Sequence, residues 1–132
     1  MMKKKNALIG LATALLLLPL TACHESIEDR AAREAKEYTE KFCPTPVKNG
    51  QRTDSMTFSK DTKTFNYYVT LSGMADNPVA LAKNKKKITT LLSQGLHDDP
   101  GTKVYRDNGF QFRYILRSTK QKGKVLYEAV IK

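Results

Sequence analysis

Few side chains in this 132-residue sequence are of a kind that does chemistry. His97-Asp98-Asp99 sets an imidazole beside two carboxylates, the donor types of a metal site or an acid–base pair. Adjacent residues seldom converge on one ion without ligands from elsewhere, and the other histidine, His24, is remote in sequence, so no metal is expected. Cys43 reads as a small buried hydrophobe. There is no Gly-x-Ser-x-Gly elbow, no Cys–His pair of recognisable spacing and no glycine-rich phosphate loop. The carboxylates are densest in the first predicted helix, at salt-bridge spacing, as Glu37 is with Lys41. The expectation is a protein that binds, with no cofactor and no catalytic residues.

Cys23 belongs to a different pattern. Met1 to Asn6 is a short basic start, and residues 7–20 form an apolar run of 14 residues, against about 20 for a membrane span. A basic start, a short apolar core and small residues after it describe a secretory signal peptide. Leu20-Thr21-Ala22-Cys23 resembles the bacterial lipobox. The resemblance, over residues 1–23, implies that Cys23 is lipidated on sulfur, that residues 1–22 are removed as a signal peptide, and that residues 23–132 are the mature lipid-anchored domain. Several acyl chains on one residue hold far better than a single chain. The chain is also similar in size and layout to small Gram-negative envelope lipoproteins. His24, where an inner-membrane retention Asp would stand, implies the outer membrane, facing the periplasm. Only His24 and Glu25 separate Cys23 from the first helix, which keeps the folded body close to the lipid. With Cys23 acylated, Cys43 has no partner for an intramolecular disulfide.

The charge is uneven. The sequence carries 23 Lys+Arg and 13 Asp+Glu, +10 in all; without Lys3, Lys4 and Lys5 the chain from Cys23 onward carries +7. Residues 23–42 are slightly acidic, so the excess lies in the body of the domain. A basic body in the envelope favours anionic neighbours: lipid headgroups, lipopolysaccharide or an acidic envelope protein. Nucleic acid is not expected there.

The elements that must position these groups follow from periodicity. Residues 26–42 predict a helix capped by Ser26, with Ile27, Ala31, Ala35, Tyr38 and Phe42 as its apolar stripe and Pro44 and Pro46 beyond its end. Residues 55–59 and 64–72 predict a hairpin about a turn at 60–63. Residues 78–94 predict a second helix with Pro78 at its first position and Gly95 as its stop. Residues 103–107 predict a strand that turns at Asn108-Gly109 into a strand at 110–117, and 124–131 predicts the last strand. The order is α-β-β-α-β-β-β, a small single α+β domain with an antiparallel sheet and two helices on one face.

Strand alternation then nominates a binding surface. Tyr68, Arg113, Ile115, Arg117, Leu126 and Val130 point away from the helices, an apolar patch framed by basic residues. Lys83, Lys86 and Lys87 share a side of the second helix and would meet anionic headgroups. The most direct function is a membrane-anchored scaffold or protein-binding module. An inhibitor or immunity-type protein against an envelope enzyme or toxin is the second reading, and a hydrolase with an unrecognised site the third.

Overall fold

A computed structural model describes residues 24–132; residues 1–22 and Cys23, which carry the signal-peptide and lipidation expectations, lie outside the described residues. Helix α1, Ile27–Phe42, starts where the sequence says: Ser26 accepts a hydrogen bond from the Asp29 amide at 3.0 Å, satisfying one of the orphan donors of the first turn. Strands β1 (Gln51–Ser59) and β2 (Thr64–Leu71) form an antiparallel hairpin. Helices α2 (Pro78–Lys83), α3 (Lys85–Asp98) and α4 (Lys103–Asp107) follow, then β3 (Gln111–Ser118) and β4 (Val125–Ile131).

The domain is α+β as expected, with three differences in how it is built. First, residues 103–107 are helical. Gly109, at φ 76°, takes the left-handed position that closes α4, and the Phe110 amide reaches back to the Tyr105 carbonyl at 3.1 Å. Asn-Gly is here a helix stop and not a hairpin turn. Second, the expected helix over 78–94 divides at Asn84, whose side-chain amide donates to the Ala80 carbonyl at 2.7 Å, competing with the helical ladder. α3 then runs through Gly95 to Asp98. Third, the sheet is mixed. Its order is β1-β2-β3-β4, and the central pair β2–β3 is parallel, with antiparallel hairpins on either side. The parallel pairing requires residues 72–110 to cross back over one face, and the three short helices do this.

The core has two parts strung along the strands. Phe65, Phe110, Phe112, Tyr105 and Ile131 pack beneath Ala31 and Ala35 of α1. Phe65 lies against Phe112 with ring centroids 5.5 Å apart and against Tyr105 at 4.9 Å. Burying one such ring contributes about 1.5–3 kcal/mol. Ala31 and Ala35, at 0% and 1% exposure, let the helix approach closely. The second part joins Val69, Leu71 and Leu116 to Leu81 and Ile88. Phe42, assigned to the core by its spacing, is 60% exposed, because α1 ends there and its ring leans on Tyr38.

The outer edge of β1 is covered by the chain itself. Lys48 and Gln51 exchange two backbone hydrogen bonds, and the Thr45 amide donates to the Thr53 carbonyl. The Thr53 amide donates to Thr45 Oγ1 at 2.9 Å, and the Met56 amide to Thr39 Oγ1 at 2.8 Å. These bonds occupy donors and acceptors that would otherwise invite another strand. Gly50 makes the tight return possible: its φ is +72°, and a Cβ there would fall 2.7 Å from Ala75 Cβ.

Candidate functional site

All of the helices that pack on the sheet use the face carrying Phe65, Val69, Phe112 and Leu116. The opposite face is left open, and strand register fixes what it displays. Tyr68 pairs with Ser55 and Ile115, Ile115 with Glu128, and Arg113 with Val130. A bulge between Thr53 and Ser55 adds Asp54 to this face, since an extra residue re-aims its side chain.

Asp54 organises the surface. It accepts from Arg52 Nε at 2.8 Å, from Arg117 Nη2 at 2.9 Å and from the Thr70 hydroxyl. Burial pushes its carboxyl up, but the hydrogen bonds from Thr70, Arg52 and Arg117 outweigh that and hold it below the ordinary aspartate range. Arg117 in turn lies over the Tyr68 ring, 5.3 Å from its centroid, a cation–π contact. Arg113 donates to Glu128 at 2.6 Å. Asn66, buried on this face, donates to Ser59 Oγ and Thr57 Oγ1. Arg and Tyr held in fixed positions need little further ordering when they meet a partner.

Tyr68, Arg113, Ile115, Arg117 and Val130 therefore share the open face. Ile115 sits at its centre with only 4% exposure, whereas Val130 is 50% exposed. Leu126 does not belong with them. The register slips between Leu116 and Arg117, so Tyr127 faces Leu116 while Val125 faces Arg117. Leu126 becomes the extra residue and packs on the helix side with Val69 and Leu116; Val125, 46% exposed, takes its place on the open face. Lys83, Lys86 and Lys87 lie elsewhere, exposed on the helical side, with Lys83 on α2 and the other two on α3. Sequence reasoning missed Asp54 and Thr70; the lone acid beside Arg52 in an otherwise neutral stretch was the available signal.

The chemistry-bearing residues are engaged in local structure. His97 Nδ1 is 2.9 Å from Arg106 Nη1, and Asp99 accepts from the Gly101 amide at 2.9 Å. No group of three His, Cys, Asp or Glu side chains comes together as a metal site among the described residues. Burial raises the Cys43 thiol pKa, which keeps it protonated and weakly nucleophilic. Between α1 and α4 a recess of about 170 Å³ is lined by Tyr38, Tyr67, Tyr105, Phe112 and Glu34 among others. Glu34 there accepts from Tyr105 at 2.5 Å and from Arg30 at 2.8 Å. Burial raises its pKa, and these bonds bring it below the usual carboxylate value.

Comparison with known proteins adds the following. No curated protein matches the chain in sequence. In fold it is similar to a Pseudomonas aeruginosa protein classed as secreted, with TM-score 0.63 and 9% identity over 83% of this chain and 96% of that one. It is similar also to EpsS, the pilotin of the Vibrio vulnificus type 2 secretion system, with TM-score 0.61 and 13% identity over 80% of this chain and 86% of that one. At such identities the likeness is one of fold. The sequence match is to a family, over residues 26–127, which holds all of the elements above except the end of β4: the chain belongs to the family described as Domain of unknown function (DUF8479).

Proposed function

We propose that this chain is a non-catalytic protein of the bacterial envelope, anchored by lipid on Cys23 at the periplasmic side of the outer membrane, and that its open sheet face binds a protein component of a secretion or assembly apparatus. The observation that carries the binding is the open face itself. Four strands leave it uncovered while a network centred on Asp54 fixes Arg117 and Tyr68 beside Val125, Ile115 and Val130. Such a surface takes a segment that sets an apolar side chain against Val130 and a carboxylate beside Arg113. The lipobox supports the anchor, and the fold shared with a pilotin is in keeping with a secretion-associated role.

Two measurements test this. Metabolic labelling with a palmitate analogue should mark wild type and leave Cys23→Ser unmarked. A photocrosslinking residue placed at Val130 should give a discrete protein adduct in cells, while one at Lys36 on the exposed side of α1 should not. Absence of the Val130 adduct would remove the sheet face as the docking surface.

A further inference from the structure

The fold gathers two lysine clusters that are far apart in sequence. Lys83, Lys85, Lys86 and Lys87 flank the α2–α3 junction, and Lys120, Lys122 and Lys124 occupy the β3–β4 turn. Asp76 joins the two segments. It is buried, accepts from Ser118 Oγ at 2.7 Å and from the Lys120 amide at 2.8 Å, and so is committed to the backbone. Lys85 Nζ stands 6.0 Å from the centre of the Tyr127 ring, and both α2 and α3 pack on β4. All seven lysines are exposed, and none takes part in an ion pair among the described residues. Seven charges equal the whole excess of the chain from Cys23 onward. Met74, 98% exposed, and Val79, 64% exposed, lie in the same segment.

Helix stability does not explain this arrangement. The first turn of α3 carries three lysines and no acid, against the preference of the helix dipole. Like charges grouped this way repel one another. The other end of the sheet is different: there Lys60 meets Asp29, Lys63 meets Glu28 and Arg33 meets Glu25.

Position decides the partner. The chain enters α1 at Ser26, and the Asp29–Lys60 and Glu28–Lys63 pairs hold that end against the β1–β2 turn. β2 runs from that turn to Leu71, whose carbonyl accepts from the Thr119 amide in the lysine turn. Its 8 residues span about 25 Å. The sequence alone implied that the tether keeps these lysines near lipid; the fold sets them at the end opposite Ser26. We propose that this basic end is a docking surface for an acidic segment of a protein partner, reached away from the anchored end. The inference rests on anchorage at Cys23.

The test uses the lipidated protein in phosphatidylcholine vesicles and a glutamate-rich peptide as probe. Wild type should bind the peptide, and reversal of Lys83, Lys86, Lys120 and Lys122 to Glu should weaken binding by at least about tenfold. These are surface positions, so an unchanged melting temperature checks the fold. Amine labelling read by mass spectrometry should show the seven lysines shielded by the peptide and equally reactive in phosphatidylcholine and phosphatidylglycerol vesicles. No peptide binding by wild type, equal binding by the reversed variant, or shielding by phosphatidylglycerol would each overturn the proposal, the last in favour of a lipid-facing surface. The intact mass of the membrane-extracted protein reports acylation of Cys23 separately, so loss of the anchor and loss of the docking surface are distinguished.

Discussion

Arg117 reaches Asp54 across β2, with Nη2 2.9 Å from Oδ2, although 63 residues separate them. The contact exists because Asp54 is the extra residue of the β1 bulge. Removing the carboxylate strands Arg117 and the Thr70 hydroxyl in a half-buried setting. Asp54→Ala is expected to cost about 2 kcal/mol, read from urea denaturation. The pH dependence has a definite sign. A folded pKa held below the ordinary 3.8 stabilises the fold above that value, and the contribution is lost as pH falls through the folded pKa. The stability gap between wild type and Asp54→Asn should therefore narrow below about pH 4.

Thr39 guards an edge. Its hydroxyl accepts from the Met56 amide and lies 2.8 Å from the Met56 carbonyl. Thr39→Val keeps the shape and deletes the partner, leaving a part-buried amide unsatisfied at a cost of about 1–3 kcal/mol. Hydrogen exchange at the Met56 amide should accelerate by more than global destabilisation accounts for. Light scattering at high concentration should also rise, because the freed edge can pair with another chain.

Ile115 and Val130 share a face but should behave differently on substitution. Ile115 is 4% exposed and Val130 50% exposed. Ile115→Ala should cost about 2–4 kcal/mol through the cavity it leaves. Val130→Asp should stay within about 0.5 kcal/mol of wild type while abolishing the adduct formed by a photocrosslinking residue at Val125, 46% exposed on the same face. An Ile115→Asp variant would bury a charge and could not separate binding from folding.

Tyr67 and Tyr114 stack with centroids 4.6 Å apart and planes 8° from parallel. Burial pushes Tyr114 up to about 12 and raises Tyr67, and burial together with the Glu34 carboxylate raises Tyr105. All three should remain protonated near pH 11, where free tyrosine is ionised. Phenolate absorbance should jump on unfolding at that pH, with Tyr67, Tyr105 and Tyr114 the main contributors. Since raised pKa values favour the folded state below the unfolded value near 10, stability should fall as pH climbs above it.

Much of this fold is written in local chemistry. The Ser26 cap, the Asn77-Pro78 start of α2 and the alternation of Phe65, Tyr67, Val69 and Leu71 all act within a few residues, and each is realised in the structure. Lys103 to Asp107 shows where local reading ends. Five residues are too few for one period to exclude the other, and Asn-Gly serves a left-handed helix stop as well as a hairpin. The bulges at Asp54 and Leu126 are invisible for another reason. Each depends on how two strands settle against each other, and a slip of one residue moves a side chain to the opposite face. Hence five of the six nominated sheet-face residues share a surface, and Leu126 does not. The joining of the two lysine clusters is likewise a product of the parallel pairing, which no stretch of sequence declares.

The parallel neighbours β2 and β3 also set an order of assembly. A chain that emerges from a translocation channel with its N-terminus first offers the β1–β2 hairpin long before β3 exists. Until Gln111–Ser118 arrives, the inner edge of β2 has no strand to pair with, and the closing strand, β4, comes last of all. For a chain exported in this way, as proposed above, folding follows translocation: the domain stays unfinished until nearly the whole polypeptide has crossed.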